Sequence, residues 1–134
     1  QAETAAPPPL FPDFRAMSDE ERLATARTMN PHWHPDELPP WAESKAQFDP
    51  AVYRYFYTVP DFPWEEVLAH IECPALLLTG DPAAGAVVTP EVAREALGLL
   101  QHGQLVQIAG SGHNIHRDAY EPALQAVRAF LQAH

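Results

Sequence analysis

The sequence predicts an α/β protein in which a helical, proline-rich first half precedes a strand–helix–strand–helix second half. Eleven of the 15 prolines and 11 of the 13 aromatic residues lie at or before Trp64, whereas all six glycines lie at or after Gly80. In the second half, two short apolar runs alternate with two amphipathic helical patterns, which is the order of a parallel βαβ unit with one more helix. We therefore expect residues 1–70 to be a helical region with an extended, Pro-rich start, and residues 71–134 to be part of a parallel sheet.

Short helices account for most of the first half. Ser18 and Glu21 have the spacing of a capping box, which opens a helix. That helix must end by Asn30, because the residue before a proline disfavours helical geometry. Three further helices are expected over residues 41–48, 49–57 and 64–71. The segment 49–57 alternates enough that a strand is left open there.

The second half contains two predicted strands. The apolar run 74–79 ends at Gly80 and is typical of a strand buried on both faces. A helix should start at residues 89–91, a second strand should cover residues 105–109, and a last helix should open at residues 118–122. Two parallel strands do not make a stable sheet alone, and a strand apolar on both faces expects neighbours on each side. The sequence therefore implies missing strands, from a longer parent protein, a second chain or self-association.

Charge and composition exclude several classes of partner. The net charge is −10, from 18 acidic and 8 basic side chains, which opposes nucleic acid and anionic membrane surfaces. No apolar run approaches the roughly 20 residues that span a bilayer, and the first residues lack the features of a signal peptide. The single cysteine, Cys73, forms no internal disulfide. A cytoplasmic, reducing location is the expectation.

The loops that follow the two predicted strands contain Asp81 and His113. Parallel strands place their carboxyl ends at one sheet edge, where open α/β sheets have their active sites. A carboxylate there accepts a hydrogen bond from one imidazole nitrogen and leaves the other nitrogen to act as a base. This is two-thirds of a nucleophile–base–acid system. No cofactor is expected, and the pairs His113/His116 and His32/His34 lack further ligands at a tight spacing, so no metal is expected either.

Three segments together resemble the end of an α/β-hydrolase: Cys73–Pro82, Val88–Val92 and Ala109–Asn114. The resemblance covers roughly residues 71–131, and the preceding aromatic helices resemble the lid that many members insert. It implies a catalytic histidine at His113 and its acid at Asp81, because in this family the acid follows the penultimate strand and the histidine the last.

This chain departs from the family pattern in two ways. The nucleophile elbow Gly-x-Ser-x-Gly is absent, so the resemblance implies an N-terminal half, outside this chain, that carries the nucleophile and the oxyanion hole. Ser111, beside the histidine, is expected to be a loop residue. Many relatives also place the acid a few residues later, where residues 83–86 hold no carboxylate. Asp81 is thus chosen by elimination, and an acid in the missing half is the alternative.

The resemblance implies a hydrolase acting on an ester or similar bond of a small, partly apolar substrate. The nucleophile, which this chain lacks, decides the chemistry: a serine implies an esterase, and an aspartate implies a dehalogenase or an epoxide hydrolase. The chain alone is expected to be inactive. Candidate residues of an apolar substrate pocket are Trp33, Trp41, Phe56 and Trp64. The alternatives are a non-catalytic fragment or interaction module, completed by self-association or a partner, and a small metal-binding domain built on the histidines.

Overall fold

The computed structural model describes residues 12–49, 52 and 62–134 of the chain. The chain divides into two units, Gln1–Asp61 and Phe62–His134. The segment 64–70, which the sequence analysis assigned to the helical region, lies in the second unit, and the predicted boundary at residue 70 stays a prediction. The predicted helix over 49–57 lies outside the described residues except for its positions 49 and 52.

Two helices form the described part of the first unit, α1 (Asp19–Met29) and α2 (Leu38–Gln47). The capping box is confirmed: the Glu21 amide donates to Ser18 Oγ at 3.4 Å, and the Ser18 amide donates to Glu21 Oε2 at 2.8 Å. Helix α2 begins three residues before the predicted position 41. Its two prolines occupy the first turn, where a backbone N–H has no partner within the helix and proline is therefore tolerated.

The core of the first unit is aromatic. Phe14, which lies in a 3-10 turn before α1, is 1% exposed, and Trp33 is 6% exposed. The Trp41 ring meets both edge-on, with ring centroids 5.7 Å from Phe14 and 5.6 Å from Trp33. Ala26, Leu38 and Ala42 complete the buried cluster. These contacts pack α1, α2 and the 3-10 turn together.

The second unit contains a two-stranded parallel sheet of β1 (Ala75–Thr79) and β2 (Gly103–Gln107). Strand β1 agrees with its predicted position within one residue, whereas β2 lies two residues before the predicted 105–109. The register pairs Ala75 with Gly103 and Thr79 with Gln107. Gly103, the first residue of β2, packs so closely against the preceding segment that a Cβ on it would lie 2.7 Å from Leu100 Cβ.

Four helices accompany this sheet: α3 (Trp64–Ala69), α4 (Pro90–Leu99), α5 (Ile115–Asp118) and α6 (Tyr120–Ala133). Helix α4 joins the strands and packs on both, as the βαβ pattern predicts, and α6 packs on β1. The last helix, α6, begins within the predicted residues 118–122, and the separate turn α5 precedes it. The leucines of β1 are only half-buried, and within the described ranges β1 pairs with β2 alone.

Among the described residues, no helix combines the length and the apolar character needed to cross a membrane.

Candidate active site

The loops after β1 and β2 are joined directly by hydrogen bonds. The Asp81 amide donates to the Ser111 carbonyl at 2.7 Å. Just before this bond, the Ile108 amide donates to the Thr79 carbonyl at 2.8 Å, which extends the strand ladder beyond β2. The backbones of the two predicted catalytic loops therefore lie side by side at the carboxyl edge of the sheet, as parallel strands require.

Two glycines make this close approach possible. A Cβ on Gly80 would lie 2.6 Å from the Ser111 carbonyl oxygen, and a Cβ on Gly112 would lie 2.5 Å from the Ala84 carbonyl oxygen. Both distances are too short for a side chain, and the obstructing atoms belong to backbone. Glycine at these positions is therefore explained by the contact between the loops.

The carboxylate of Asp81 takes part in a local turn. Its Oδ1 accepts a hydrogen bond from the Ala83 amide at 2.9 Å, and its carbonyl oxygen accepts from the amides of Ala84 and Ala86 at 2.9 and 3.1 Å. Gly85, with φ of 92°, ends the 3-10 turn that Asp81 caps. Asp81 thus has the turn-forming role common for Asp before proline. Its catalytic role stays a prediction.

His113 is exposed at the end of the second loop, while the two residues before it are buried. Within the described part of the chain, its imidazole makes no hydrogen bond, and no ion pair joins it to Asp81. The structure therefore brings the two loop backbones together but not the carboxylate and the imidazole. The assignment of His113 as the catalytic histidine stays a prediction.

Ser111 is fully buried, with 0% exposure. Its Oγ donates to the Ile108 carbonyl at 2.8 Å, which closes a tight turn after β2. Because its hydroxyl closes this turn and is shielded from solvent, Ser111 is a loop residue, as expected from the sequence.

Asp118 contacts the loop of His113, although the sequence pattern predicts only that it lies at the start of the last helix. Its Oδ2 accepts a hydrogen bond from the Gly112 amide at 2.8 Å. The signal in the sequence is a carboxylate at the end of the short turn that follows Gly-His, but spacing alone does not indicate which amide it reaches.

Three of the four candidate pocket residues are described by the structure, two in the first unit and one in the second. Trp33 and Trp41 belong to the aromatic core of the first unit, and Trp64 is half-buried at the start of α3 in the second unit. Phe56 lies outside the described residues. Their role in binding substrate stays a prediction.

The second unit has an apolar depression of about 290 Å³ between Leu78 on β1 and the side chains of α5 and α6, including His116 and Tyr120. Trp64, the candidate pocket residue of this unit that the structure describes, is not among the residues that line the depression.

No group of three or more metal-ligating side chains occurs in the part of the chain that the structure describes. His34 instead caps a 3-10 turn, with its Nδ1 accepting from the Asp36 amide at 3.3 Å.

These elements define a partial α/β-hydrolase fold, and a comparison with solved structures confirms it. The chain superposes on N-formylmaleamic acid deformylase from Pseudomonas putida with a TM-score of 0.64 and 19% identity, over 92% of this chain and 51% of the deformylase. The fold class and the resemblance predicted from the sequence are thereby confirmed.

A curated relative is similar in sequence. The (E)-2-((N-methylformamido)methylene)succinate hydrolase of Acinetobacter baylyi is 35% identical over 83 residues, which are 60% of this chain and 30% of that hydrolase. The chain thus spans about half the length of the deformylase and matches under a third of the curated hydrolase. No protein-family model matches the chain.

Proposed function

We propose that this chain is the C-terminal part of an α/β-hydrolase, in which His113 acts as general base and then general acid and Asp81 orients it. The observation that carries the proposal is the hydrogen bond from the Asp81 amide to the Ser111 carbonyl, 2.7 Å long. This bond joins the two loops at the sheet edge where the fold has its active site. An N-terminal half supplies the nucleophile and the oxyanion hole.

Asp81 can orient His113 without giving up its turn. A carboxylate has two oxygens and several acceptor positions. Oδ1 keeps the Ala83 amide, and Oδ2 accepts the N–H of the imidazole once the exposed His113 side chain turns toward it. The other ring nitrogen is then unprotonated and directed to the nucleophile.

The reaction follows from this arrangement. The nucleophile attacks the carbonyl carbon of the substrate, and His113 takes the proton that it loses. The leaving group receives that proton when its bond to the carbonyl carbon breaks. His113 then removes a proton from water as the water oxygen attacks the acyl carbon. The bond between that carbon and the nucleophile breaks, His113 returns the proton to the nucleophile, and the acid product is released.

The leading substrate class is an ester or similar bond on a small, partly apolar compound. The names of both relatives favour a second candidate, because each describes hydrolysis of a compound with a formyl group on nitrogen and a carboxylate-bearing skeleton. The candidate bond is then the C–N bond between the formyl carbon and nitrogen, and the products are formate and the amine or amide.

The test uses the chain alone and the enzyme assembled from this chain and its N-terminal half, called the assembled enzyme below. A chromogenic ester and an N-formyl amide, the latter followed by formate release, are the two substrates. We expect no activity from the chain alone and activity from the assembled enzyme. His113→Ala and Asp81→Asn should each reduce kcat by about 10⁴-fold, as for the corresponding residues of other triads.

His116→Ala is the matched control, since His116 is an exposed histidine three residues after His113, and it should retain activity. Activity that survives His113→Ala would overturn the assignment. Full activity in Asp81→Asn with loss in His113→Ala would place the acid in the N-terminal half. Tight assembly without hydrolysis of either substrate would favour the alternative of an interaction module.

A further inference from the structure

We propose that Asp118 is a positioning residue, which holds His113 at the active-site edge by binding the amide of the preceding residue, Gly112. This inference rests on the proposed function of His113. It adds a residue that acts through the backbone and does not touch the substrate.

The bond from the Gly112 amide to Asp118 Oδ2 closes a short loop that contains His113. The distance of 2.8 Å is that of a charge-assisted hydrogen bond, which is stronger than one between neutral groups. Inside the loop, the Asn114 carbonyl accepts from the amides of Arg117 and Asp118 at 2.8 and 2.9 Å. Both the backbone and the side chain of Asp118 are therefore tied to residues that flank His113.

The opposite side of this loop is held by the loop after β1. The Ser111 carbonyl accepts from the Asp81 amide, and Gly112 packs so closely against the Ala84 carbonyl that no Cβ fits between them. Gly112 is thus clamped between Asp118 and the loop of Asp81. Because His113 is the next residue, this clamp determines where its Cα lies relative to Asp81.

Asp118 is half-buried, and Gly112 is buried. A buried amide that loses its acceptor is costly, so the backbone would move to recover a partner. A shift of about 1 Å in a catalytic group is enough to reduce the rate by about 100-fold. The carboxylate therefore affects catalysis through the position of the histidine.

The first experiment measures kcat and KM of Asp118→Ala and Asp118→Asn in the assembled enzyme. Asparagine retains a side-chain oxygen that can accept from the Gly112 amide, whereas alanine does not. We expect Asp118→Ala to lower kcat by about 10- to 100-fold with little change in KM, and Asp118→Asn to restore most of it. Glu121→Gln, an exposed acid at the start of α6, is the matched control and should be unaffected.

Equal losses in the asparagine and alanine variants would overturn the proposal, since the charge and not the acceptor would then be required. Unchanged kcat in Asp118→Ala would overturn it as well. His113→Ala, measured in parallel, separates the two proposals. If His113→Ala retains activity, the proposed function fails. If His113→Ala is inactive while Asp118→Ala is fully active, only the positioning role of Asp118 is rejected.

A second measurement uses the unmodified protein, so it does not depend on whether an Asp118 variant folds. The amide proton of Gly112 should resonate at low field in the NMR spectrum of the intact protein, because it is donated to the carboxylate of Asp118 at 2.8 Å. The Gly98 amide, in α4 and away from this loop, is the internal reference. A Gly112 amide proton that resonates no further downfield than that of Gly98 would overturn the proposal.

Discussion

At the scale of single residues, the candidate site depends on glycines as much as on residues with functional side chains. Gly80 and Gly112 let two loop backbones approach more closely than a Cβ allows. Ser111, the residue before Gly112, uses its hydroxyl for a turn. These residues determine the backbone conformation of the two loops that contain Asp81 and His113. Substitutions of these residues therefore test the contact between the loops directly.

Gly112→Ala should destabilise the second unit. The new Cβ would lie 2.5 Å from the Ala84 carbonyl oxygen, so one backbone must move, at a cost of about 1–3 kcal/mol. Urea unfolding measures the change. Gly98→Ala is the control: its Cβ meets nothing within 4 Å, and alanine in a helix is more stable than glycine by up to about 1 kcal/mol. Equal stability of the two variants would contradict the contact between the loops.

Ser111→Ala tests whether this serine acts as a nucleophile. Loss of the 2.8 Å bond to the Ile108 carbonyl should lower the free energy of unfolding by about 1 kcal/mol. The assembled enzyme should still hydrolyse the chromogenic ester, because the proposed nucleophile lies outside this chain. Abolished hydrolysis in a variant that remains folded would mean that Ser111 takes part in the chemistry.

At the scale of elements, the helices begin at capping side chains that the sequence makes visible. Ser18 caps α1, and Thr89 caps α4 by accepting from the Val92 amide at 3.4 Å. Acidic residues follow in the first turn of each, where the positive end of the helix dipole favours them. Each cap satisfies amide groups that the helix itself leaves without acceptors.

Ser18→Ala should shorten or weaken α1. Replacement of a serine cap by alanine costs about 1 kcal/mol of helix stability, which thermal unfolding followed by circular dichroism can detect. Thr28→Ala is the control in the same helix, since the Thr28 hydroxyl donates to the Ala24 carbonyl of its own helix and alanine is the better helix former. A larger loss in Thr28→Ala would contradict the capping role of Ser18.

The same cap predicts a pH dependence. Hydrogen bonds from the Ser18 amide, and then from its hydroxyl, hold the pKa of Glu21 below the ordinary 4.5. A carboxyl whose pKa is lowered by folding stabilises the folded state above 4.5, and this contribution is lost as pH falls through the folded pKa. NMR titration of the Glu21 carboxyl carbon should give a higher pKa in Ser18→Ala, still below 4.5 because the amide donor remains. An unchanged pKa would contradict the hydroxyl contribution.

At the scale of the whole molecule, the two units use their apolar residues differently. The first unit has its own aromatic core around Phe14 and Trp33. In the second unit, the leucines of β1 are only half-buried, although their uniform apolar character is typical of a strand covered on both faces. The superposition extends over about half of the deformylase, which agrees with the proposal that further strands complete the sheet.

A sheet that lacks its N-terminal half, as proposed, should associate. A strand edge without a partner is a template for pairing with another chain, so light scattering of the chain alone should give a mass that rises with concentration. Addition of the N-terminal half should replace this by a complex with one copy of each. A monomer at all concentrations that also fails to bind the N-terminal half would contradict the proposal of a split sheet.

Much of the second unit could be predicted because its signals are local. The strand that ends at Gly80, the helix start at Thr89-Pro90 and the Gly-Ser-Gly break are each properties of a few neighbouring residues. The start of α2 and the position of β2 were misplaced by two or three residues. At α2, proline stops a helix in its interior but is accepted in its first turn. At β2, the strand begins at Gly103, where a Cβ would lie 3.1 Å from Leu97 Cδ1 of α4, a contact that the local sequence does not indicate.

The sequence by itself determined the order of strands and helices and the placement of Asp81 and His113 after two parallel strands, since periodicity and turn residues act over short distances. The tertiary structure alone decided that Trp33 and Trp41 pack with Phe14 and that Asp118 binds the amide before His113. These are choices among several possible partners. They depend on which groups the packed backbone brings within hydrogen-bonding distance, and sequence spacing carries little information about that.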